Sequence, residues 1–142
     1  MEGVLSVLLG KGHSVLFWIN IILLIILLWI IINQIVTYVR GRNAATFVDN
    51  DQLKKAMHHA QIIDVREEDV FKSGHILGAR NIPFTQFKLS MGSIRKDMPV
   101  YLYDQGKALS VRCAILLKKE GFSKVYVLKG GYNKWDGKKK KG

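Results

Sequence analysis

The sequence predicts an α/β domain, with a parallel sheet covered by helices on both faces, behind one N-terminal membrane-spanning helix. Two observations carry this. Short β-branched or aromatic runs alternate with helical stretches between residues 61 and 128, the pattern of strands joined by helical crossovers. Residues 14–39, "SVLFWINIILLIILLWIIINQIVTYV", hold no charged side chain, which a hydrocarbon core requires of a segment that crosses it.

The apolar segment comes first. Residues 15–37 alone reach about 34 Å as a helix, enough to span a bilayer core. Trp18 and Tyr38 sit near its two ends, where amphipathic rings prefer the interface. A cleaved signal peptide would have a shorter apolar region and a small-residue cleavage site, and neither is present. Residues 1–13 are then a short N-terminal segment, 14–39 a transmembrane helix and 40–46 ("RGRNAAT") a linker. Lys11 flanks one side, whereas Arg40, Arg42, Lys54 and Lys55 flank the other. The excess of positive charge places the C-terminal domain in the cytoplasm, beneath a cell membrane.

In the domain, "DNDQLKKAMHHA" (49–60) opens with a helix cap at Asp49 or Asn50 and continues in helix formers. "QIIDV" (61–65) reads as a strand. "REEDVFKSGHILGA" mixes a polar helical turn with glycines, and "RNIP" ends a short strand on proline. "FTQFKLSMGSI" spaces Phe84, Phe87 and Met91 as a helix does. "PVYLY" (99–103) is a strand, "ALSVRCAILLKKEG" (108–121) a helix closed by Gly121, and "KVYVL" (124–128) a strand. "GGYNKWDG" makes a last helical turn, and residues 137–142 form a basic lysine tail.

The 142 residues carry a formal charge of +11. Of this, residues 43–142 hold 19 basic and 10 acidic side chains, a net +9. Such a surface is drawn to polyanions, and anionic lipid is the one a membrane anchor brings near. No nucleic-acid partner is expected. One cysteine, Cys113, excludes an intramolecular disulfide. His58 and His59 are adjacent on a predicted helix and diverge by about 100°, a poor metal pair, so neither a metal nor a cofactor is expected.

"IIDVREEDVFKSGHILGARNIP" (62–83) resembles the first signature region of the rhodanese-like family, and "EGFSKVYVLKGGYNKW" (120–135) resembles its closing region. The resemblance covers residues 46–136 and assigns 47–136 to one rhodanese-like domain. It implies a five-stranded parallel sheet with helices on both sides. It also implies that Asp64, Arg66, His75, the glycines and Trp135 serve the fold rather than chemistry. Active members carry a cysteine straight after the central strand and hold a transferred sulfur on it as a persulfide. Here the residue after "VYLY" is Asp104. The family's spacing from that cysteine to the glycine of Gly-Phe is kept, since Asp104 and Gly121 are 17 residues apart. Ser110 matches the serine that commonly opens the next helix, and Leu109 replaces the arginine commonly before it.

The loop equivalent to the active site is therefore Asp104, Gln105, Gly106, Lys107, Ala108, Leu109 and Ser110, and it has no catalytic residue. A carboxylate cannot hold a persulfide. Asp104 is expected instead to accept the N–H groups around Gln105, Gly106 and Lys107, shutting the loop to anions. The function implied is a membrane-anchored binding or scaffolding module at the cytoplasmic face, without sulfurtransferase activity, for a protein partner that the sequence does not name. Two alternatives stand beside it. One is sulfur transfer through Cys113. The other is an electrostatic tether acting through Lys138 to Lys141.

Overall fold

The computed structural model describes residues 14–142, which divide into two units between Val39 and Arg40. The expected N-terminal segment 1–13, with Lys11, lies outside the described residues. The first unit is the body of helix α1, Val15–Ala44. Its residues are exposed almost throughout, and by length and composition it can cross a membrane. Residues 40–46 differ from the expected linker. The helix continues to Ala44, and strand β1 (Thr46–Val48) begins two residues later. Gly41 costs the helix about 1 kcal/mol without ending it, and Arg42, Asn43 and Ala44 carry no helix breaker.

In the second unit, β1 leads into α2 (Asn50–Ala56), β2 (Gln61–Asp64), α3 (Glu68–Ser73), β3 (His75–Ile76) and β4 (Arg80–Asn81). Then follow α4 (Phe84–Ser90), β5 (Val100–Tyr103), α5 (Ala108–Lys119), β6 (Val125–Leu128) and β7 (Lys139–Lys140). Five strands form one parallel sheet in the order β1-β6-β5-β2-β4. Successive strand side chains alternate between its two faces. Ile63, Val100, Leu102, Val125 and Val127 join Phe87, Cys113, Ala114 and Leu117 in one core. Ile62, Tyr101, Tyr103 and Leu128 join Leu53 and Trp135 in the other. Both faces being buried explains why β2, β5 and β6 read as nearly continuous apolar runs.

The local signals act where the sequence put them. Asp49 is the N-cap of α2 and forms a capping box with Gln52. After α5, Gly121 takes φ +89°, and the Phe122 N–H returns to the Leu117 carbonyl at 3.1 Å, the closure that glycine permits at a helix end. The lysine tail is structured. Lys139 and Lys140 pair antiparallel with Ile76 and His75, and the Leu77 N–H donates to the Lys138 carbonyl at 3.0 Å. Lysine has little strand propensity, so this strand exists through main-chain pairing with a distant partner rather than through its own side chains.

Candidate functional site

In an open parallel sheet, sites collect outside the carboxyl ends of the strands. There the chain leaves β2 at Asp64 and β5 at Tyr103, residues paired in register on adjacent strands.

After β2, Asp64 is fully buried and Arg66 is 5% exposed. The guanidinium donates from Nε to both Asp64 oxygens at 3.0 Å, and from Nη2 to Oδ2 at 2.6 Å. The Arg66 N–H donates to Oδ1 at 2.9 Å. Nη2 also reaches the Gly74 carbonyl at 2.7 Å, and the cation lies 4.2 Å over the Tyr132 ring. Charge-assisted forked bonds of this kind are what allow a carboxylate and a guanidinium to be buried together. Tyr103, beneath them, has its phenol pushed well above the usual range by burial and by the Asp64 charge. Its oxygen accepts the Ile76 N–H at 3.0 Å. His75 is buried, bonds the Phe71 carbonyl through Nδ1 at 2.8 Å and stacks on the Phe71 ring. His58 and His59 sit exposed in the 3₁₀ turn after α2.

After β5, Asp104 is 4% exposed. Its Oδ2 accepts the Leu109 N–H at 3.2 Å, and its Oδ1 accepts the Ser110 N–H at 3.4 Å and the Ser110 hydroxyl. Ser110 is itself fully buried. The carboxylate thus caps the second and third residues of α5 from outside the helix, where Lys107, at the N-cap position, gives no side-chain cap. A negative charge at that end also meets the positive pole of the helix. This corrects the expected donors. The side chain does turn inward, but it takes the first turn of α5 rather than the N–H groups of Gln105, Gly106 and Lys107. The reason is the orientation of the loop. Its carbonyls are tied to the turn after β6, the Tyr132 N–H donating to Asp104 O at 2.8 Å and the Asn133 N–H to Gln105 O at 3.2 Å.

That crossing requires Gly131. At its φ of +60°, a Cβ would lie 2.2 Å from the Gly106 carbonyl oxygen, well inside contact distance. The remaining loop residues face outward. Gly106, Lys107 and Ala108 are exposed, and the Lys107 ammonium lies 5.6 Å from the Phe47 ring. Leu109 packs against the core. Gln105 joins the two loops. Its carbonyl oxygen accepts from Arg66 Nη1 at 3.1 Å, and its amide donates to Asn133 Oδ1. Asn133 and Tyr132 had no sequence signal as partners of this loop. Only the glycine pair before them hinted at a close chain crossing.

Cys113 is fully buried in the face that α5 turns to the sheet. Burial pushes its thiol far above the ordinary range, and the Asp104 charge adds to this. A thiolate, the reactive form, is strongly disfavoured there.

The family model described as "Rhodanese-like domain" matches residues 49–138. The chain is 46% identical over 119 residues to the uncharacterized protein YqhL of Bacillus subtilis (strain 168), covering 84% of this chain and 94% of that one. It is 33% identical over 75 residues to the thiosulfate sulfurtransferase GlpE of Shewanella oneidensis, covering 53% and 74%. The crystal structure of the Alr3790 protein from Anabaena sp. superposes with a TM-score of 0.61 at 28% identity, over 66% of this chain and 91% of that one.

Proposed function

Since the chain belongs to the rhodanese-like family, we propose that it is a membrane-anchored member that transfers no sulfur and acts as a binding or scaffolding module on the cytoplasmic face. One observation carries this reading. The side chain straight after the central strand is a buried carboxylate already bonded to two helix N–H groups and a serine hydroxyl. A sulfur donor such as thiosulfate would meet a fixed negative charge there and no nucleophilic sulfur. The relative named as a thiosulfate sulfurtransferase indicates the activity this reading denies to the chain.

The route through Cys113 is disfavoured by the same geometry, because its thiol is enclosed and its ionisation opposed. Anchoring rests on the apolar helix α1. Cytoplasmic orientation rests on the Arg40 and Arg42 side of that helix being the more basic. Partner contact is assigned to the exposed rim of residues 105–108 and to the lysine-rich surface, the latter also suited to anionic lipid.

The deciding experiment is a thiosulfate-to-cyanide assay on the full chain in detergent. Thiocyanate formation is expected to match a heat-killed control. Turnover above that control overturns the reading, and its loss on Cys113→Ser would assign it to that thiol.

A further inference from the structure

A cavity of about 580 Å³, lined by no residue of the 104–110 loop, lies between α2, the turn after β3 and the segment leading into β7. Pockets that hold small ligands measure about 300–1,000 Å³, with apolar walls and a few polar groups that fix orientation. Here Met57, Ile62 and Trp135 are apolar lining, the exposed His58 imidazole also lines the cavity, Leu77 is 41% exposed, and Lys54 and Lys138 supply charge.

The wall beside Trp135 is built from main chain. A Cβ on Gly137 would come within 2.3 Å of the indole, so only glycine lets the backbone lie there. The next carbonyl, of Lys138, is fixed by two donors, Trp135 Nε1 at 3.2 Å and the Leu77 N–H at 3.0 Å. Lys138 lines the cavity, and the residue is exposed. The charges of the lining do not cancel. Lys54 is neutralised by Asp136, 2.7 Å away. Among the described residues, Lys138 has no carboxylate partner and no acidic side chain lines the cavity.

An apolar chamber with one uncompensated cation in its lining is complementary to an apolar body bearing one negative charge. We infer that this cavity binds a hydrophobic monocarboxylate, its apolar part against Met57, Ile62 and Trp135 and its carboxylate at Lys138. The site shares no residue with the 104–110 loop and meets the proposed function only at Lys138, part of the lysine-rich surface, so the absence of sulfur transfer and this inference stand or fall separately.

The chain has three tryptophans, Trp18, Trp29 and Trp135. In the full chain carrying Trp18→Phe and Trp29→Phe, held in zwitterionic phosphatidylcholine nanodiscs, Trp135 is the single indole and reports on the cavity directly. The probes are 2-naphthoate and its neutral analogue 2-naphthamide. Saturable quenching is expected from both, with naphthoate binding about threefold tighter, the order of ratio one exposed charge pair supplies. Lys138→Gln is expected to erase that preference while sparing the main-chain bonds of residue 138. Leu77→Glu is expected to weaken naphthoate further still. Quenching that rises without saturation, equal binding of acid and amide in the parent chain, or a preference that survives Lys138→Gln each overturns the inference. The comparison of acid with amide needs no cavity variant, so it decides the matter even if a substitution unfolds the domain.

Discussion

Two aspartates leave adjacent strands at the same end of the sheet, and each is buried by a different means. Asp64 has a cation of its own, Arg66, bonded at three nitrogens counting the main chain. Asp104 has none. It is held by a helix terminus and a hydroxyl. The first arrangement is a closed ion pair that leaves little for a ligand to do. The second uses groups that can stabilise any anion placed before them. The loop after β2 is thus fixed by side-chain charge, whereas the loop after β5 holds its anion with main-chain and hydroxyl donors. In the Asp104 loop the anion those donors face is the chain's own side chain.

The most severe break is Arg66→Met. It leaves the Asp64 carboxylate fully buried without its cation, a change that costs about 3–5 kcal/mol. Denaturant unfolding of the full chain in detergent reads it as a lowered midpoint with an unchanged slope. Adding Asp64→Asn to Arg66→Met should recover part of the loss, because the uncompensated charge goes with it. A double variant no better than Arg66→Met would mean that Arg66 matters through its packing on Tyr132 instead.

Asp104→Ala comes next. It removes an acceptor from two helix N–H groups and from a buried hydroxyl, so a loss of about 1–2 kcal/mol is expected, the range of helix-cap deletions. Asp104→Asn keeps one acceptor oxygen and should lose less. If Asp104→Ala destabilised as much as Arg66→Met, the helix terminus would be as demanding a partner as a guanidinium, and the contrast between the two loops would fail. Asp104→Cys sharpens the same point in activity. It places a thiol at the end of a strand facing helix N–H groups, and measurable thiocyanate formation would show the loop shaped for an anion.

Much of this was legible in the residues, and the parts that were not share a physical cause. "QIIDV", "PVYLY" and "KVYVL" announced strands because both faces of the sheet are buried and the side chains say so. Asp49 announced a helix because capping is local. Asp104 could be placed by counting to Gly121, but its partners could not be, since which peptide N–H groups face a side chain depends on how the loop is pinned. Here the pins are the N–H groups of Tyr132 and Asn133, nearly thirty residues away. The lysine strand β7 was hidden for the same reason. Its cause lies in the backbone of His75 and Ile76, and nothing in "KKKK" records it. The change of composition at residues 40–46, which suggests a linker, marks the end of apolar character rather than the end of the helix, which runs on to Ala44.

The mildest test concerns the side chain that joins the two loops. Gln105 accepts from Arg66 and donates to Asn133, yet it is itself exposed, so water can replace most of what it offers. Gln105→Ala should therefore cost no more than about 1 kcal/mol. Its size matters less than its dependence on context. In the Arg66→Met background the bond to the guanidinium no longer exists, and the cost of Gln105→Ala should shrink. The difference between the two costs is the coupling of the loops, for which neighbours in one hydrogen-bonded network give about 0.5 kcal/mol or more. Equal costs in both backgrounds would mean that Gln105 serves Asn133 alone, and that the ion pair after β2 has no hold on the loop after β5. Unequal costs would make Arg66 a positioning residue for that loop, acting through one amide.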